Sequence, residues 1–423
     1  MRIAMISYHT CPLAILGGKD TGGMNVYVRE LTRFLGQAGI HVDVFTRSQD
    51  EHVPHVLHDL GYGNRVVHIS AGPEIPIPKH ELVEYIKAFS NGILEFSKNK
   101  GLQYDLIHSH YWMSGITAGY LQQQWKIPII HMFHTLGQMK NKIARSPSET
   151  EGAYRLDGEQ KVMDLSTHII AATPAEEQQL TSLYQINPEK IKIIPPGVDC
   201  SHFYPIPADE AKAAIGIPAD SKMILFVGRI EPLKGVDTLI RAIALMREDC
   251  HMSLCSYYLA IIGGDPNDEP ENTDSEMSRL KNLCSELGLD EMVVFLGKKD
   301  QTTLPYYYSA AEMLVMPSFY ESFGMVALES MACGTPVVAS HTGGLAHLVQ
   351  NGISGFTVPE GDVKSLAKRL NQLILDPELR NRIGLQAAEY AKSYSWENIT
   401  ERIRLQYNST LGDWKKGSME NVQ

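Results

Sequence analysis

Met223-Ile-Leu-Phe-Val227-Gly228-Arg229-Ile-Glu-Pro-Leu-Lys234-Gly235 is an unbroken apolar run that stops at a glycine and passes through a charged, proline-containing turn. A helix-like segment follows it. Unbroken runs, rather than alternating ones, suit parallel strands covered on both faces. Strand, turn and helix in succession is the unit of a doubly wound α/β sheet. The same rhythm recurs downstream at Leu259–Ile262, Met292–Leu296, Met313–Met316, Val337–Ala339 and Gly355–Val358. Upstream it appears at Ile3–Ile6, Val42–Phe45, Val66–Ile69, Leu106–His108, Ile127–His131, Ile169–Ala172 and Ile191–Ile194, with helix-like segments such as Asn25–Gln37 and Glu81–Phe96 between them. Pro195-Pro196-Gly197-Val198-Asp199 and the loop-like His202–Asp209 divide the two series. Two Rossmann-like domains, 1–199 and 200–395, are therefore expected. Ligands of such sheets bind beyond the carboxyl ends of the strands, so substrates are expected in a deep cleft between facing domains.

Composition narrows the function. The chain has 423 residues, 43% hydrophobic and 21% charged, with a formal net charge of −11. An acidic chain lacks the basic face that nucleic acid or an anionic membrane requires. The six cysteines, at 11, 200, 250, 255, 284 and 333, form no C-x-x-C pair and no zinc-type spacing. The first residues run straight into a strand with no long apolar segment, and nowhere do 18 apolar residues follow one another. A cytoplasmic protein without a membrane span is expected. Asp265–Ser275 reads as an exposed loop, Gly417–Gln423 as a disordered tail.

Four motifs carry chemistry. Glu321-Ser-Phe323-Gly324-Met325-Val326-Ala-Leu-Glu329 follows a strand and opens a helix near Gly324. The unpaired N–H groups of a first helical turn suit a diphosphate. Glu321, ahead of the helix, is placed for sugar hydroxyls; Glu329, about two turns in, for a ribose. Arg229 and Lys234, at a strand's carboxyl end, suit a departing diphosphate: Arg offers a fork of donors and Lys a compact charge. The loop Gly17-Gly18-Lys-Asp-Thr-Gly22-Gly23-Met-Asn25 joins the first strand to the first helix; it lacks the G-x-G-x-x-G order of a dinucleotide site, which disfavours an oxidoreductase. His131-Met-Phe-His134-Thr135 follows another strand. Taken alone, its histidines read equally as packed or surface residues.

Together these residues resemble the retaining glycosyltransferases built from two Rossmann domains, the GT-B fold. Glu321 and Glu329 match that family's E-x7-E motif, Arg229 and Lys234 its diphosphate clamp, Gly23 its early glycine loop and His134 its sugar-contacting histidine. The resemblance implies that the first domain binds the acceptor and the second the nucleotide sugar, with Phe323, Gly324, Met325 and Val326 among the donor contacts. It also implies a last helix, about 396–415, that returns to the first domain. His9-Thr-Cys-Pro-Leu-Ala, Gly22-Gly-Met-Asn-Val-Tyr-Val, Val44-Phe-Thr-Arg, His108-Ser-His-Tyr-Trp and His134-Thr-Leu are similar to two branches. One holds the sucrose and sucrose-phosphate synthases; the other is the mycothiol-pathway enzyme that glycosylates inositol phosphate. By that likeness Lys79, Tyr111, Thr135 and Arg155 bind an acceptor phosphate, with Asn25 also on the acceptor side. Two cations and two hydroxyls suit one phosphate chemically.

The implied reaction is metal-independent and needs no cofactor beyond its nucleotide-sugar substrate. UDP-glucose and fructose 6-phosphate give sucrose 6-phosphate by front-face substitution, with His134, Arg229, Lys234 and Glu321 as the catalytic set. No carboxylate is placed as the nucleophile that a two-step retaining glycosidase uses. N-acetylglucosaminyl transfer to inositol 1-phosphate is the alternative. A catalytically inactive sugar-phosphate-binding protein is an alternative of another class, which the intact motifs disfavour.

Overall fold

A computed structural model describes residues 1–14, 21–144, 150–248, 257–264 and 276–420. The chain divides into two compact units. One holds residues 1–14, 21–195 and the C-terminal helix; the other holds 196–395.

The first unit contains β1 (Arg2–Ile6), β2 (His41–Arg47), β3 (Val56–Leu57), β4 (Arg65–Ile69), β5 (Leu106–His110), β6 (Ile129–Met132), β7 (His168–Ala171) and β8 (Ile191–Ile193). They lie in the order β3-β4-β2-β1-β5-β6-β7-β8. Every pairing is parallel except β3 with β4. The second unit contains β9 (Lys222–Val227), β10 (Tyr257–Ile262), β11 (Val293–Gly297), β12 (Ala311–Met316), β13 (Val337–Ser340) and β14 (Gly355–Val358), in the all-parallel order β11-β10-β9-β12-β13-β14. In each sheet the direction of growth reverses beside the first strand, between β1 and β5 and between β9 and β12. The crevice at such a reversal, outside the carboxyl ends of the strands, is where ligands of these sheets bind.

The two-sided burial that the apolar runs demand is present. Ile3, Ala4, Met5 and Ile6 of β1, and Met223, Ile224 and Leu225 of β9, are wholly buried. In the second unit Leu239, Ile240 and Ile243 of the helix Val236–Glu248 join Leu370 and Leu373 of the helix Val363–Leu375 in one core. Each such side chain contributes about 1.5–3 kcal/mol by leaving water. Side-chain caps set several helix starts. Asp362 accepts from Ser365 N at 3.0 Å, and Asp376, ahead of Pro377, accepts from Leu379 N at 2.9 Å.

The C-terminal helix Trp396–Glu420 packs within the first unit. Trp396 sits 5.4 Å from the Tyr27 ring, Tyr407 Oη is 2.7 Å from His108 Nδ1, and Thr410 Oγ1 is 3.0 Å from His168 Nδ1.

Three details differ from the sequence reading. The segment expected as one helix over Glu81–Phe96 is a short helix Lys79–Leu82, a 3-10 turn and the helix Ile86–Asn99. The two-residue β3 carries too short an apolar signal to be read. The tail expected to be disordered from Gly417 continues the last helix to Glu420. Asp265–Ser275 lies outside the described residues. Among those described, no helix is long and apolar enough to cross a membrane.

Candidate active site

In the first unit Lys79, Tyr111, Thr135 and Arg155 come together although far apart in sequence. Tyr111 follows β5 directly, Thr135 stands three residues past β6, Arg155 lies on the helix Ala153–Leu165, and Lys79 opens the helix Lys79–Leu82. The Arg155 guanidinium carbon is 5.1 Å from the centre of the Tyr111 ring, and Lys79 Nζ is 5.6 Å from it. Arg155 Nη2 donates to the Thr135 carbonyl and to Thr135 Oγ1, both at 3.1 Å. The guanidinium is 1% exposed, so it requires anionic partners. Its Nε donates to Glu159 at 2.9 Å and its Nη1 to Glu151 at 2.5 Å. Glu159 is wholly buried and also accepts from Gly137 N and from Tyr184 Oη. A side chain at Gly137 would stand 3.1 Å from Glu159 and 2.8 Å from Leu156, so glycine admits the carboxylate.

Asn25 is a loop-fixing residue. Its amide donates to Thr10 Oγ1 at 2.7 Å and to the Cys11 carbonyl at 2.8 Å, while its carbonyl accepts from Gly22 N at 2.9 Å. Both of its donors are thus committed to Thr10 and Cys11, and its oxygen to Gly22 at the start of the helix Gly23–Gln37. Gly17, Gly18, Lys19 and Asp20 of the early glycine loop lie outside the described residues.

A group of histidines packs beneath these strand ends. His134 Nε2 is 3.0 Å from His110 Nδ1, and the Tyr27 ring meets His134 edge-on at 5.3 Å. His131 Nδ1 bonds Ser109 Oγ at 2.7 Å. Burial lowers the pKa of all four, to about 3 for His108 and His134 and well below 6.5 for His110 and His131. They are neutral at physiological pH. Tyr111 and His134 both have positive φ, 72° and 61°. Such backbone costs roughly 1–3 kcal/mol and clusters at functional positions.

In the second unit Lys234 Nζ lies 2.5 Å from Glu321 Oε2, in a pair only about one-sixth exposed. The turns after β9 and β12 thus meet at the strand-order reversal. Arg229, more exposed, pairs with Glu231 at 2.7 Å. Gly324, at φ 102°, caps the helix Met325–Ala332. Glu329 is that helix's fifth residue, one turn and a third in rather than two. It is buried and accepts from Tyr308 Oη at 2.8 Å and Gln301 Nε2 at 3.2 Å. Phe323 is buried against Tyr394, which leaves its main chain to meet a donor; Met325 and Val326 are partly exposed at the helix start.

The sequence reading missed several of these residues. Glu151 and Glu159 stand four residues to either side of Arg155, a signal available in the sequence. Lys140, Glu231, His110 and Tyr27 carry no such local signal. Nor does the pair Gly343-Gly344: Gly344 N donates to the Glu321 carbonyl at 2.8 Å, and a Cβ on Gly343 would stand 2.1 Å from that oxygen.

Comparison with known proteins agrees with this fold. Residues 21–202 match the family described as Glycosyltransferase Family 4, and residues 207–390 match Glycosyl transferases group 1. A D-inositol 3-phosphate glycosyltransferase of Acidothermus cellulolyticus is 38% identical over 423 residues, covering 100% of this chain and 93% of that protein. Its counterpart in Saccharomonospora viridis is also 38% identical, with 99% and 96% covered. The structure of a sucrose-phosphate synthase from Thermosynechococcus elongatus superimposes with a TM-score of 0.87 at 34% identity, covering 97% of this chain and 99% of that one. The Anabaena protein HepE, solved with UDP and glucose, shares the fold at a TM-score of 0.74 and 20% identity over 97% of this chain and 100% of its own. With both halves matched and relatives similar along nearly its whole length, the chain belongs to the GT-B glycosyltransferases, with a family 4 N-terminal half and a group 1 C-terminal half.

Proposed function

We propose that this glycosyltransferase moves a glucosyl unit from UDP-glucose to fructose 6-phosphate, with retention at the anomeric carbon, to give sucrose 6-phosphate. The observation that carries the reading is the convergence of Arg155, Thr135, Tyr111 and Lys79. Two cations and two hydroxyl groups in one place suit an acceptor phosphate. The likeness to the Thermosynechococcus sucrose-phosphate synthase supports the choice of acceptor.

Chemistry follows from the side chains. The bond from the sugar's anomeric carbon to the UDP oxygen breaks as the acceptor hydroxyl oxygen bonds on the same face, and the hydroxyl proton passes to the departing diphosphate. Arg229 and Lys234 stabilise the charge that develops there, so no metal is needed for that task. Glu321, paired with Lys234, grips the sugar hydroxyls and does not attack carbon. His134 stays neutral, and with Nε2 turned to His110 it offers Nδ1 to a sugar hydroxyl. Gly324, Met325 and Val326 line the diphosphate with main chain, and Glu329 reaches the ribose while Tyr308 holds it. The reaction is assigned to the cytoplasm.

A second reading keeps the machinery and changes the substrates to UDP-N-acetylglucosamine and inositol 1-phosphate. The full-length relatives named for inositol phosphate favour it. Steady-state kinetics with fructose 6-phosphate, fructose, inositol phosphate and inositol tests both. A site built around a phosphate rejects its unphosphorylated analogue by roughly 10³-fold or more in kcat/KM. Equal values for fructose 6-phosphate and fructose would remove the phosphate site from the account. A higher value for inositol phosphate would select the second reading.

A further inference from the structure

Arg155 has five N–H donors. Nε uses one on Glu159, Nη2 uses two on Thr135, and Nη1 uses one on Glu151, which leaves one. An acceptor phosphate that engages this guanidinium bidentately therefore has to displace a partner. Glu159 is an unsuitable candidate: wholly buried, it is also held by Gly137 N–H and Tyr184 Oη. Thr135 is fixed through its carbonyl as well as its hydroxyl. Glu151 differs from both. Its side chain is 19% exposed, and it stands just ahead of the helix Ala153–Leu165 rather than within it. Its Oε1 accepts from Arg155 Nη1 at 2.5 Å and from Lys140 Nζ at 2.9 Å. One carboxylate oxygen thus joins two cations that a phosphate oxygen would also join. Burial alone would raise the Glu151 pKa, but Arg155 and Lys140 outweigh it and hold it below the usual range. The group is an anion at physiological pH.

We propose that the acceptor phosphate displaces the Glu151 carboxylate from Arg155 and Lys140, which makes Glu151 an internal stand-in for the phosphate in the empty site and Lys140 a further phosphate-binding residue. The inference rests on the acceptor reading given above. A neutral acceptor cannot replace the broken ion pairs, whereas a phosphate dianion replaces both. Glu151 therefore keeps Arg155 and Lys140 paired while the site is empty, at a cost in affinity for the phosphate that replaces it.

Thermal unfolding of the full chain, with and without saturating fructose 6-phosphate or inositol phosphate, tests this. Without a phosphate compound, Glu151→Ala is expected to unfold roughly 2–4 °C below the wild type, because Arg155 and Lys140 lose their shared anion. With the compound present, the two proteins should unfold at the same temperature, and half-saturation should fall by about tenfold in the variant. Lys140→Ala should raise half-saturation by about tenfold and leave stabilisation by UDP unchanged. Equal destabilisation of Glu151→Ala with and without the phosphate compound would mean that Glu151 stays on Arg155, and would overturn the proposal. An unchanged unfolding temperature without phosphate would overturn it too, since the pair would then have nothing to be displaced from. No stabilisation of the wild type by either phosphate compound, with stabilisation by UDP intact, would instead refute the acceptor reading itself.

Discussion

Lys234 and Glu321 are 87 positions apart and meet at 2.5 Å. Replacing Lys234 by Ala removes the point charge from the departing diphosphate and leaves Glu321 without its partner. The expected loss in kcat is about 10² or more, read by steady-state kinetics at saturating substrates; an unchanged kcat would contradict the role. Arg155→Ala should raise the acceptor KM far more than the donor KM, because the guanidinium lies with Thr135 and Tyr111 in the proposed acceptor-phosphate site. Equal rises in both would take it out of that site. Arg229 and Lys234 were legible in the sequence because they follow a strand's carboxyl end beside glycines, whereas Lys79 and Arg155, both on helices, came only from the resemblance. Glu151 and Glu159 went unread although their four-residue spacing from Arg155 was visible. Spacing shows that carboxylates can reach the guanidinium, not that burial makes them necessary. The ties to Tyr184 and Gly137 depend on long-range packing that no local pattern contains.

The elements that matter most are the turns after the strands. The Glu321 turn is braced by Gly343-Gly344, whose main chain lies against the Glu321 carbonyl. Gly343→Ala would place a methyl 2.1 Å from that oxygen, on a residue with φ of 45°. The expected cost is about 1–3 kcal/mol of stability, with a raised donor KM because Glu321 moves. Urea unfolding and donor kinetics measure the two, and an unaltered donor KM would show that the Glu321 turn does not depend on this brace. The strands themselves were legible because both faces are buried, which forces unbroken apolar runs such as Ile3–Ile6 and Met223–Val227. The turn braces were not, because a glycine pair says only that close approach is allowed, never which segment approaches. The helix break after Leu82 was missed for a related reason. The apolar pattern continues across it while the backbone tightens into a 3-10 turn.

At the scale of the whole molecule, buried ionisable groups among the described residues make stability depend on pH. The folded pKa values of His108, His110, His131 and His134 all lie below 6.5. Their stabilising contribution is fully present above about pH 6.5 and is lost as pH falls toward the folded values, because the unfolded chain takes up protons that the fold refuses. Glu176 acts in the opposite sense: burial raises its pKa to about 7, so its contribution is lost as pH rises from about 4.5 to 7. The buried histidines, His9 among them, outnumber Glu176. Unfolding free energy should therefore drop by a few kcal/mol per unit between pH 6.5 and 5, and urea titrations across that range check it; a flat profile would contradict neutral buried histidines. The two-unit organisation was legible because the strand–turn–helix rhythm restarts after Pro195-Pro196-Gly197. The acceptor's identity was not, because Lys79, Tyr111, Thr135 and Arg155 suit a phosphate chemically and leave the rest of an acceptor unspecified.

Product analysis by mass spectrometry and proton NMR, after incubation with UDP-glucose and fructose 6-phosphate, is the most direct test of the central claim. The account predicts sucrose 6-phosphate with the glucosyl unit in the α configuration, matching the donor. A product of inverted configuration, or release of free glucose and UDP with the acceptor unchanged, would contradict it.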